Sequence, residues 1–123
     1  KVKNIQVRIC SLNDVLIDFA QTMGKVRRGI PVKKKEGLSF ESIEAFRRVI
    51  TPRRMELIQS IKKQKPASIY ELAKVVGRDL KSVNTDLGIL KDHGFVSVET
   101  STIDRKRTRP FVNYDRIEVE IPV

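Results

Sequence analysis

The chain has 123 residues, 40% of them hydrophobic, enough for one modest core and too few for two independent ones. Its formal net charge of +10, from 25 Lys and Arg against 15 Asp and Glu, points to a polyanionic partner, because cations that neutralise phosphates release condensed counterions. One Cys and one His exclude an intrachain disulfide and a zinc site of the usual Cys/His kind. No apolar run approaches the ~20 residues that cross a bilayer, so no membrane partner is expected. The start carries no signal-peptide pattern and the lone Cys10 suits a reducing compartment, so the expected location is cytoplasmic. The charge is uneven: residues 1–37 hold nine basic and three acidic side chains, and residues 52–115 hold thirteen and eight. A neutral connector separates these two basic regions.

In chain order, Ile5, Val7 and Ile9 alternate with Gln6, Arg8 and Cys10, the period of a half-buried strand. Ser11 with Asp14 forms a capping box, and Leu12, Val15, Leu16, Phe19, Ala20 and Met23 then fall on one helical face. Gly24 and Gly29 loosen its end, and Ile30-Pro31 opens a basic loop containing Lys33, Lys34 and Lys35. A short helix is expected over 41–49, with Ile43, Phe46, Val49 and Ile50 as its apolar side. Thr51-Pro52 opens a third helix, whose buried stripe is Met55, Leu57, Ile58 and Ile61 and which ends at Lys65-Pro66. Ser68 and Glu71 form a second capping box, for a helix burying Ile69, Leu72, Ala73 and Val76. Gly77 suits its left-handed end. Asp79 caps the next helix, whose core face is Leu80, Val83, Leu87 and Leu90, and Gly94 closes it. Phe95, Val96 and Val98 read as a strand, 101–109 as a basic hairpin tip, 111–114 as the returning strand, and Ile117, Val119 and Ile121 as a last strand.

Two short helices about a tight Gly-containing turn, followed by a basic hairpin, make a winged helix-turn-helix. The fold class expected is α+β, mainly α, with an N-terminal strand–helix extension and a C-terminal strand. Residues 1–50 would serve dimerisation or partner binding, 51–115 DNA binding, and 116–123 would add the strand. The second helix of the motif commits one face to the core, leaving the other for a major groove about 12 Å wide. Near its start that free face carries Lys81, Ser82, Asn84 and Thr85, with Arg78 just before and Lys91 further on. Asn84 has the donor and acceptor to pair bidentately with adenine. The hairpin tip offers Arg105, Lys106, Arg107 and Arg109 to phosphates or a minor groove. Gly88 costs about 1 kcal/mol against Ala in mid-helix, which implies a packing or close-approach reason.

The stretch SIYELAKVVGRDLKSVNTDLGILKDHGFVSVE resembles the DNA-reading unit of MarR-like and ArsR-like winged-helix regulators. With GLSFESIEAFRRVITPRRMELI before it and RPFVNYDRIEVEIPV after, the whole chain is similar to a family of small predicted winged-helix regulators. That family is similar to antitoxins encoded beside a small toxin, which implies a repressor autoregulating its operon and binding a cognate toxin. Leu12, Val15, Leu16, Phe19 and Met23 form a second apolar stripe that suits a homodimer or that partner.

An enzyme reading fails on inventory: His93 sits at a helix end among charges, carboxylates are scattered beside Lys or Arg, and no Gly-rich phosphate loop follows a strand. No catalytic residue, metal ligand or cofactor is expected. Blander readings stand beside each site: a solvated helix face for Lys81 to Thr85, a merely soluble hairpin tip, a solvated loop for the Lys33 run. A winged fold that binds an acidic protein without reading DNA is the competing function.

Overall fold

Alternating apolar residues at the start of the chain do form a strand, and it becomes the centre of a small sheet. The computed structural model describes residues 3–10, 12–27, 29, 37–101 and 107–123. Strand β1 (Asn4–Ile9) buries Val7 and Ile9, and helix α1 (Leu12–Arg27) runs a turn beyond the expected stripe, straight through Gly24. The Ser11–Asp14 capping box and the Lys33, Lys34 and Lys35 run lie outside the described residues. Strand β2 (Leu38–Phe40) follows, too short for its alternation to register in the sequence, and pairs parallel with β1. Its entry depends on Gly37: at φ 132°, a Cβ there would stand 2.7 Å from the Gln6 carbonyl oxygen.

The last strand of the sheet, β5 (Arg116–Glu120), pairs parallel with the opposite edge of β1, giving the order β2-β1-β5. The N- and C-terminal strands thus pair within the chain, Ile5 opposite Ile117 and Val7 opposite Val119. Polar groups on the other face hold the register. Asn4 and Gln6 amides donate to Glu118 (2.7 and 2.5 Å), and Arg8 lies 3.6 Å from Glu120. Asp115 accepts from the Lys3 N–H at 2.9 Å and pairs with Lys62 at 3.1 Å, which together hold its carboxyl below the usual carboxylate range.

Four helices begin at side-chain caps, three of which, Thr51, Ser68 and Asp79, the sequence marks. The Ser42 hydroxyl accepts from Ala45 N–H at the start of α2 (Ile43–Val49), and Thr51 from Arg54 N–H at α3 (Pro52–Gln64). Ser68 accepts from Glu71 N–H to open α4 (Ile69–Val76), while the Glu71 carboxylate reaches back to Ala67 N–H. The Asp79 carboxylate accepts from Ser82 N–H at the start of α5 (Leu80–Asp92). Helix α3 stops where Lys65 turns left-handed at φ 48°.

Leu57, Ile58 and Ile61 of α3 meet Leu72 and Ala73 of α4 and Val83, Leu87 and Leu90 of α5 in one core. Val7, Ile9, Phe40, Val49, Phe95 and Val96 belong to the same cluster, so the sheet packs onto the helices. Leu80 does not join them. It is 43% exposed at the first position of α5. Ile43, expected on the apolar side of α2, is likewise exposed.

Strands β3 (Ser97–Thr100) and β4 (Thr108–Phe111) form the antiparallel hairpin, with Val98 opposite Pro110 and Glu99 opposite Arg109. The outgoing strand starts later and the returning strand earlier than expected. Phe95 and Val96 are spent on the core before pairing begins, and Pro110 packs fully buried inside β4 although it cannot donate to the ladder. Tyr114, expected in the returning strand, lies beyond it. Its hydroxyl donates to the Phe95 carbonyl at 2.8 Å, and burial pushes its pKa up to about 12.

Candidate nucleic-acid interface

The site is built around the turn between α4 and α5. Gly77 takes φ 69°, ψ 34°, a left-handed geometry that costs a residue without Cβ nothing, and Asp79 caps α5 two residues later. With Val83, Leu87 and Leu90 buried, the 100° step per residue turns Lys81, Asn84 and Thr85 outward, and all three are exposed. Lys81 and Asn84 make no side-chain bond among the described residues, whereas the Thr85 hydroxyl donates to the Lys81 carbonyl at 3.0 Å. Lys91 is exposed two turns on from Asn84. Gly88 shares this strip, and a Cβ there would meet nothing within 4 Å, so no packing among the described residues accounts for it.

Arg78 and Ser82 are placed differently. The Arg78 guanidinium turns inward, its Nη2 donating to Asp86 Oδ2 (2.7 Å) and to the Ser82 hydroxyl (2.6 Å). From the other side Arg54 Nε donates to Asp86 Oδ1 at 3.1 Å, while its Nη1 donates to the carbonyls of Arg48 and Val49 at 2.6 and 3.2 Å. One carboxylate on α5 therefore ties together the end of α2, the start of α3 and the helix-turn-helix turn. Burial alone would raise the Asp86 pKa, but hydrogen bonds from Arg78 and Arg54 outweigh it and hold the carboxyl below its ordinary value. Arg78 Nε and Nη1 are buried with no partner among the described residues, so this network is not free of cost. Sequence reasoning missed it: Asp86 is eight residues from Arg78 and 32 from Arg54, and no local pattern links them.

On the hairpin, Arg107 is exposed, while Arg109 is bound across the strands to Glu99 at 2.6 Å and lies over the Phe111 ring at 5.0 Å. Arg105 and Lys106 lie outside the described residues. A further exposed pair that the sequence did not signal stands on α4, where Lys74 sits 4.7 Å over the Tyr70 ring. His93 is a helix-end residue: its Nδ1–H donates to the Ile89 carbonyl at 3.0 Å, and its ring stacks on Phe40. Among the described residues no group of His, Cys, Asp and Glu is arranged to hold a metal ion, and no helix is long and apolar enough to cross a membrane.

On α1, Leu16, Phe19 and Met23 are 58%, 63% and 40% exposed, and Ile17 is exposed beside them. The side chains of Leu12 and Val15 lie outside the described residues. The outer face of the sheet carries the polar side chains of Asn4, Gln6, Arg8, Glu118 and Glu120.

Helices α3, α4 and α5 with the β3–β4 hairpin define a winged helix-turn-helix. Residues 49–119, more than half of the chain, match the model of the HVO_A0114 family, and the chain belongs to that family. Among curated proteins none matches it in sequence. Solved structures of similar shape include MarR, at 17% identity and TM-score 0.49, covering 83% of this chain and 65% of that one. Another is FabT of Streptococcus pneumoniae in complex with DNA, at 18% identity and TM-score 0.49, covering 83% and 61%. The S. aureus MepR–DNA complex is 13% identical with TM-score 0.48, covering 80% and 71%. The chain thus spans less than two thirds of the first two proteins.

Proposed function

We propose that this chain is a sequence-specific double-stranded-DNA-binding transcription regulator that acts as a homodimer. The observation that carries this reading is the free strip of α5. Lys81, Asn84 and Thr85 stand outward opposite a buried face, and Gly88 leaves the strip narrow where no neighbour among the described residues requires it. A helix about 10–12 Å across with one face so disposed fits a major groove about 12 Å wide. In this reading Asn84 pairs with a base edge, Lys81 and Lys91 meet phosphates, and Arg105, Lys106 and Arg107 carry the wing onto the backbone. Arg78 and Ser82 hold the reading helix in place from within, and Arg109 shapes the base of the wing.

The functional division follows: 1–50 assemble the dimer, 51–115 read DNA, and 116–123 close the sheet. Occupancy of its own promoter makes the regulator a repressor of its operon. The exposed α1 face favours a second reading for that surface, a cognate toxin in place of a second copy. A gel shift on the chain's own upstream DNA against random duplex tests the central claim: equal affinity for both would overturn sequence-specific reading. Binding to neither would leave the acidic-protein alternative.

A further inference from the structure

Resting on the DNA-binding reading, we infer that Arg47, Arg48 and Arg53, at the junction of α2 and α3, form a second phosphate-binding surface beside the reading helix. All three are exposed, and none makes an ion pair or side-chain hydrogen bond among the described residues. They fall within seven residues of chain, in the last turn of α2 and the first turn of α3. Between them the Thr51 hydroxyl accepts from Arg54 N–H at 3.2 Å and caps α3.

The junction is fixed in place by its neighbour Arg54. That guanidinium grips the Arg48 and Val49 carbonyls with one nitrogen and the Asp86 carboxylate, on the flank of α5, with another. Asp86 directly follows Thr85, so it lies a 100° step from the nearer edge of the outward strip, on the side of α5 where Arg54 reaches it. Arg54 and Asp86 are only 16% and 14% exposed, which keeps this tether out of bulk water. A helix that fills the major groove leaves no room beside it except the groove wall, and that wall is the phosphate backbone. In this inference the exposed cations of the tethered junction meet that wall, and such phosphate contacts carry no base information. The wing reaches the duplex from the end of α5 through β3, so the two basic surfaces belong to different elements. The nearby carboxylates Glu44 and Glu56 are exposed and unpaired among the described residues, leaving the arginines free to meet an anion.

The test measures log K against log salt on the chain's upstream duplex, with hydroxyl-radical footprinting. Arg47→Ala with Arg48→Ala and Arg53→Ala should flatten the slope by up to about 2.7 units, about 0.9 for each phosphate that is no longer neutralised. Protection should disappear at phosphates on one flank of the half-site while the central bases stay protected. A charge-matched control, Lys25→Ala with Lys63→Ala and Arg116→Ala, should keep the wild-type slope and footprint. Replacing the same three arginines by Lys should keep most of the slope, which separates lost charge from lost folding. Equal slopes for the Ala triple and wild type, or equal flattening in the control, would overturn the inference. A wild-type protein without salt-dependent binding would instead overturn the functional reading on which it rests.

Discussion

Asn84 carries both a donor and an acceptor on an exposed side chain that no other described residue engages. Asn84→Ala is expected to weaken binding to the cognate duplex by about 1–3 kcal/mol and to leave random-duplex affinity nearly unchanged; titrations on both duplexes decide, and parallel losses would remove it as a base reader. Gly88 makes an opposite pair of predictions. With open space around its Cβ position, Gly88→Ala should raise thermal stability by about 1 kcal/mol through helix propensity. It should nonetheless weaken DNA binding if the duplex approaches there, so a tighter or unchanged complex would count against a close approach. Asp86 sets a pH dependence. Its folded pKa is lowered, so the stability it adds is fully present above its ordinary value of 3.8 and is lost as pH falls through the lower folded value. Asp86→Asn should cost about 3 kcal/mol at neutral pH by stranding two buried cations, and its urea midpoint should fall less between pH 5 and 3 than that of wild type.

At the scale of elements, the proposed function divides the labour of recognition between the hairpin and α5. Replacing Arg105, Lys106 and Arg107 with Ala should lower affinity on cognate and random duplex alike and flatten the salt slope by about 0.9 for each phosphate the wing neutralises. Arg109→Ala should move the slope less than Arg107→Ala, because Arg109 is already neutralised by Glu99 across the strands. Equal effects from the two would show that the cross-strand pair opens on binding. The elements themselves were written locally. Ser42, Thr51, Ser68 and Asp79 each accept a bond from the first turn of the helix they open, a contact that spans three residues and needs no tertiary context. The hairpin was less legible, since Pro110 argues against a strand until the core that buries it is in place.

For the whole molecule the question is what covers α1. Leu16, Phe19 and Met23 are exposed, and the β2-β1-β5 sheet turns a polar face outward. In the proposed homodimer a symmetric copy covers this stripe, and two reading helices about 34 Å apart would read an inverted repeat with half-sites one helical turn apart or a multiple. Light scattering should give a dimer for the wild type and a monomer for Leu16→Asp with Phe19→Asp. A wild-type monomer at micromolar concentration would assign the face to a different protein.

The sequence by itself determined the order of the elements other than β2, the Thr51, Ser68 and Asp79 caps that start three helices, and the buried stripe Val83, Leu87 and Leu90 that leaves Asn84 outward. Each of these is a short-range pattern, set by helical or strand period and by side chains three residues from their targets. Only the tertiary structure decided that β5 pairs parallel with β1 inside the chain, that three-residue β2 completes their sheet, and that Leu80 stays exposed. It also decided the fate of the arginines. Arg78 and Arg54 look in sequence like their exposed neighbours Arg47, Arg48 and Arg53, and what separates them is one carboxylate, Asp86, brought between them by packing α3 against α5. Charge can be counted along a chain, but which charges remain free depends on partners that only folding supplies.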